Sequence, residues 1–132
     1  MRYFFKAGSA LLIIISFVSC ITTYSSVVKY QGQKFMESIS FMPGKTFRID
    51  KKDNAYFTGR YNYDKILHTL TFKLEKQYAQ GGEGVRYIKG AVFKYKARMD
   101  RNTLFVEKLL NAKGLKIGGA LLLTPREYKR VR

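Results

Sequence analysis

The chain has 132 residues, with 25 Lys and Arg against 9 Asp and Glu, one His, one Cys and no Trp. That length accommodates one domain with one core, and a lone cysteine excludes an internal disulfide and a cysteine-built zinc site. A formal charge of +16 creates a field strong enough to select anionic surroundings.

Arg2 and Lys6 stand before an apolar run, Ala10 to Val18, followed by Ser19 and Cys20. This is the anatomy of an export signal: a positive start, an apolar middle and small residues at the cleavage point. The block Phe17-Val18-Ser19-Cys20 resembles the lipobox of bacterial lipoproteins, although Phe17 stands where that family usually has leucine. The resemblance implies cleavage between Ser19 and Cys20, diacylation of the Cys20 thiol and attachment to a membrane through it. Two other readings remain open. The uncharged stretch Ala7 to Val28 has the length of a retained membrane-spanning helix, but its second half is rich in hydroxyls. An ordinary cleavable signal beside a bystander Cys20 is the other.

The expected division is a signal at 1–19, a lipidated N-terminus and tether at 20–33, and a single β-domain at 34–132. Export places that domain at the outer membrane or the periplasmic face of the envelope, or at the inner membrane if the helix is retained. Without Arg2 and Lys6, 23 basic residues remain against 9 acidic. Nucleic acid is the common partner of such a charge, but an exported chain does not meet it. The nearer anions are lipid head groups or an acidic envelope partner.

In the tether, Val27, Val28 and Tyr30 are equally compatible with a first strand or a linker. From Glu37 the period is two: Ile39 and Phe41 alternate with serines, Pro43-Gly44 turns the chain, and Phe47 and Ile49 alternate with polar residues. Lys51 to Asn54 is the next turn. Ala55 to Tyr63 presents Phe57, Gly59, Tyr61 and Tyr63 on one face, and Leu67 to Glu75 presents His68, Leu70, Phe72 and Leu74. Gln77 to Gly84 reads as a loop. Val85 to Met99 reads as one long strand with a bulge or bend at Gly90. Thr103 to Glu107 is a short strand, Lys108 to Leu115 continues it or forms a helical turn, Ala120 to Thr124 is a buried strand, and Glu127 to Arg132 is a basic edge strand or tail beyond Pro125.

Short strands in series without a long helix predict an all-β fold, a small antiparallel meander closing as a barrel or flattened sandwich. Through SFMPGKTFRI, YFTGRYNYD and LTFKLE the chain resembles the small lipocalin-like, calycin-type barrels of bacterial lipoproteins. That likeness implies a barrel and a binding role, and carries no ligand-contact residue with it.

The chemistry is sparse. His68, the only histidine, falls on the inward side of its strand, where a neutral core or rim role outweighs a catalytic or metal-binding one. No triad, carboxylate pair or metal-ligand cluster can be assembled, so we expect no enzyme, metal or cofactor. The glycine clusters at 81–84 and 118–119 lack the strand-to-helix context of a phosphate-binding loop. Phe57, Tyr61, Tyr63, Phe72, Tyr87, Phe93 and Tyr95 are expected to line the interior. There they fill it or surround a cavity for one small apolar ligand. Arg48, Arg60, Lys73, Lys94, Lys96 and Arg98 are expected outside, where with Arg126, Lys129, Arg130 and Arg132 they solvate strands or form a patch for an anionic surface. Two functions follow: a lipid-anchored interaction or structural module, or a binding protein with a ligand inside the barrel.

Overall fold

In a computed structural model the described residues are 21–79, 84–87, 90–113 and 122–131. The segment read as an export signal, including Ser19 and Cys20, lies outside them.

Nine strands follow in chain order: β1 Thr22–Tyr30, β2 Gln33–Met42, β3 Thr46–Asp50, β4 Tyr56–Asp64, β5 Thr69–Ala79, β6 Gly84–Tyr87, β7 Val92–Met99, β8 Thr103–Lys113 and β9 Arg126–Val131. Every pairing is antiparallel. The order β4-β3-β2-β1-β9-β8-β7-β5 closes on itself through β4 and β5, giving an eight-position barrel consistent with a lipocalin-like fold. Closure gives β9 a partner on each side, β8 and β1, so the C-terminal segment is a wall strand rather than an edge.

The alternation of apolar and polar residues builds the wall. Ile39, Phe41, Phe47, Ile49, Leu70, Phe72, Leu74, Phe93, Tyr95, Leu104, Val106 and Tyr128 form one buried cluster, because period two turns each strand's apolar set inward. At about 25 cal/mol per Å² of apolar surface removed from water, this cluster is the main stabilising term.

Several expectations need correction. The stretch read as tether or first strand is a full strand, with Tyr24 and Val28 buried. β5 runs on to Ala79, through residues expected to be loop. It begins only at Thr69, leaving Leu67 exposed and His68 in a turn at φ 53°. Residues 108–113 continue β8. Leu122 and Leu123 are buried as expected, but in an irregular segment rather than a strand.

The long strand expected over 85–99 is divided. β6 and β7 both pair with the same edge of β5, and the register passes from Tyr87 opposite Lys76 to Val92 opposite Lys73. The register therefore shifts between β6 and β7, and Gly90 between them has φ +91°, a conformation open to glycine at little steric cost. Gly59 has a different reason. It lies at a register irregularity against β5, and a Cβ there would collide with the backbone carbonyl of Lys73.

The meander separates two rims. At the lower rim stand Ile21, Val131 and the turns Pro43–Lys45, Lys65–His68 and Asp100–Asn102; the upper rim carries Gln31–Gly32 and Lys51–Ala55.

Candidate functional site

Most of the residues expected to line a ligand cavity are packed into the core. Phe57, Phe72, Phe93 and Tyr95 belong to the buried cluster. Phe72 meets Phe47 with ring centroids 4.8 Å apart and Tyr95 at 6.1 Å, both edge-on. Rings in such contact fill the volume a ligand would need. Tyr63 packs against the cluster, and its hydroxyl accepts the Met99 N–H at 3.2 Å. The side chain of Tyr87 lies outside those described. Tyr61 reaches an opening, a cleft of about 380 Å³ at the lower rim that also touches Tyr24, Phe41 and Met99.

One inward residue is a charge. Glu37 continues the alternation of Ile39 and Phe41 and is 0% exposed. Its Oε2 accepts Lys51 Nζ at 3.0 Å, and its Oε1 accepts the Thr124 N–H at 3.0 Å and the Tyr128 hydroxyl at 2.7 Å. Lys51 Nζ also donates to the Leu122 carbonyl at 3.1 Å, and the Leu123 N–H donates to the Tyr95 hydroxyl at 2.9 Å. These bonds hold residues 122–124 across the upper interior. Burial, then the charge of Glu37, pushes the Tyr95 hydroxyl up to about 12. Burial and the same carboxylate push Tyr128 further upward. Among the described residues, the Glu37 contacts go to the fold itself, so the network reads as a latch.

His68 also departs from the inward strand position expected for it. It sits in the β4–β5 turn, where its carbonyl accepts the Ala97 N–H at 2.9 Å and its Nδ1 is buried without a hydrogen-bond partner. Among the described residues no group of three or more His, Cys, Asp or Glu is placed to hold a metal ion.

The outward wall is basic. Arg60 stands opposite Lys73 between β4 and β5, and Lys96 stands opposite Lys108 between β7 and β8. Lys94 faces Thr71, one step along from Lys73. Lys45, Arg60 and Lys73 border a shallow groove of about 240 Å³, with Asn62 and Thr71 between them. Two carboxylates intrude: Glu75 lies 3.5 Å from Arg60, and Glu107 lies 3.6 Å from Arg98. Both pairs are substantially exposed, and such pairs contribute about 0–1 kcal/mol.

The wall does not unite all the expected bases. Arg48 turns to Asp50 at 2.9 Å and lies over the Tyr56 ring at 4.0 Å. Arg126 donates to the Val27 carbonyl at the β1–β9 seam. Arg130 donates to the Arg101 carbonyl at 3.3 Å, near the lower rim. Lys129 is exposed on β9, and Arg132 lies outside the described residues. Sequence reasoning missed Lys45, which sits in a turn, and Lys108, because ending the strand at Glu107 left it without a cross-strand partner; the β7–β8 register sets it opposite Lys96. No family model, curated protein or solved structure matches the chain.

Proposed function

We propose that the protein is a lipid-anchored, exported envelope protein, a non-enzymatic interaction or structural module whose basic wall meets anionic lipid head groups or an acidic envelope partner. The observation that carries this reading is the pair of like-charge juxtapositions, Arg60 with Lys73 and Lys96 with Lys108. Like charges directly opposite on a sheet are destabilising, and an external anion relieves them. The wall is also charged where a membrane-spanning barrel carries an apolar band, which fits a domain beside a bilayer. The lipobox supplies the attachment, since two acyl chains anchor stably where one does so only marginally.

Intact-mass analysis of membrane-extracted protein beside a Cys20→Ala variant tests the anchor. Acyl mass on a chain beginning at Cys20 is expected, with release of the variant from the membrane fraction. An uncut, unacylated wild-type chain overturns the anchor. The lower-rim cleft bounded by Tyr24, Phe41, Tyr61 and Met99 favours a second reading, a small apolar ligand held at the barrel mouth. Native mass spectrometry of the purified protein checks it through a co-purifying mass.

A further inference from the structure

The β4–β5 turn exposes two large aliphatic side chains. Ile66 is 88% and Leu67 65% exposed, more than any other large hydrophobic among the described residues. The turn is held in that shape. Asp64 Oδ1 accepts the N–H groups of both Ile66 and Leu67 at 3.0 Å, and the His68 carbonyl is tied to β7 through Ala97. A turn braced on both sides cannot fold these side chains back onto the barrel, so they remain in water unless an outside apolar phase receives them.

The same rim gathers positive charge. Lys65 adjoins the apolar pair, Lys45 occupies the β2–β3 turn and Arg101 the β7–β8 turn, and Arg130 reaches the Arg101 carbonyl. The rim's two acids are engaged by their own turns. Asp64 caps Ile66 and Leu67; Asp100 accepts the Asn102 and Thr103 N–H groups at 2.8 Å and the Thr103 hydroxyl at 2.9 Å. Ile21 and Val131, about half exposed, lie on this rim too. Cys20, the residue before Ile21, therefore joins the fold at this end. The Lys45–Arg60–Lys73 groove opens beside it and carries the positive surface onto the wall.

We propose that this rim seats the barrel on an anionic bilayer, with Ile66 and Leu67 entering the acyl boundary and Lys45, Lys65 and Arg101 resting on lipid phosphates. Aliphatic tips inside a basic collar match the two layers of a membrane surface, head groups outside and hydrocarbon beneath. The inference rests on the membrane reading above and adds an orientation: the barrel stands on its lower rim.

The chain contains no tryptophan, so Ile66→Trp places a single reporter at the tip. Met36→Trp, at an exposed position on β2, serves as the side-wall control. Each full-length variant is reconstituted into phosphatidylcholine vesicles with and without phosphatidylglycerol, some carrying acyl-brominated lipid. The expected result is a blue-shifted tryptophan at 66 that loses most of its emission to brominated lipid, more so in anionic vesicles. Tryptophan at 36 should emit as in water. Adding Lys65→Glu with Arg101→Glu to the 66 reporter should weaken its quenching in anionic vesicles. Water-like, unquenched emission at 66 in protein that floats with the vesicles overturns the proposal, as does equal quenching at 36. Intact mass of the same samples separates the two claims. Quenching at 66 on an unacylated chain supports the rim and sinks the anchor, whereas an acylated chain with an unquenched 66 does the reverse.

Discussion

The Glu37 carboxylate accepts the Tyr128 hydroxyl at 2.7 Å inside the barrel, joining the inward faces of β2 and β9. These strands are not adjacent, since β1 lies between them, so the bond braces the seam across one strand. Glu37→Ala removes the acceptor that also serves Lys51 and Thr124. Breaking a buried charge pair typically costs about 3 kcal/mol, and urea unfolding should show a loss of that size, with Glu37→Gln milder. A double-mutant cycle with Tyr128→Phe should give a coupling of about 1–2 kcal/mol. Purely additive losses would remove the brace.

Alkaline pH acts on the same region. Tyr95, pushed up to about 12, and Tyr128, raised further, hold their protons more tightly when folded than at the unfolded value near 10. Between those values the folded chain binds more protons, so stability is complete below about pH 10 and falls as pH rises toward 12. For Tyr95 the loss amounts to about 3 kcal/mol. Denaturation midpoints measured at rising pH should decline through this window, more gently in Tyr95→Phe, whose stability at neutral pH should itself drop by about 1–3 kcal/mol for the orphaned Leu123 N–H. A flat alkaline profile would contradict the assignment.

Gly59 tolerates no side chain. Its Cβ would meet backbone on β5, at the Lys73 carbonyl and the Leu74 Cα, and backbone cannot step aside as a flexible side chain can. Gly59→Ala should cost about 3 kcal/mol, the upper part of the range for overpacking. Gly90, whose missing Cβ has nothing within 4 Å, should lose less on the same change, through its positive φ alone. Thermal melts of the two variants side by side check the ranking.

The basic wall predicts opposite effects on folding and binding. Lys108→Glu places an acid opposite Lys96 and should raise stability by about 0.5 kcal/mol. The same change, combined with Lys73→Glu, should weaken association with anionic vesicles by roughly tenfold or more, at about 1 kcal/mol for each basic residue near the surface. Cosedimentation at two salt concentrations measures the second effect and urea midpoints the first. Unchanged vesicle association would show that the wall only solvates its strands.

The barrel was largely legible because period two is local: Ile39 with Phe41, and Phe47 with Ile49, declare an inward face without reference to the rest of the chain. β1 was harder to read, since only Tyr24 and Val28 carry its buried side and hydroxyl residues separate them. The sequence alone puts the β5 start too early, because Lys65 to His68 offers neither glycine nor proline, and Leu67 extends an apolar rhythm that the turn interrupts. Glu37 had the right parity for the interior, but its charge argued against burial until Lys51, Thr124 and Tyr128 converged on it from distant parts of the chain. The basic wall was legible strand by strand, and its like-charge pairs were not, since register alone decides who stands opposite whom.

The β1–β9 pairing joins only Thr23, Ser25 and their neighbour Tyr24 to Lys129, Arg130 and Val131, while every other junction links strands close in sequence. Hairpins of a meander can zip as they emerge, but this seam must draw together the two ends of the domain, and long loops close at greater entropic cost. It should therefore be the last junction to form and the first to open. In hydrogen exchange its amides should report local opening well below the global unfolding free energy, ahead of β2–β3 and β4–β5. A barrel closed in space would then have a door in time, placed at the rim where Ile21 and Val131 lie.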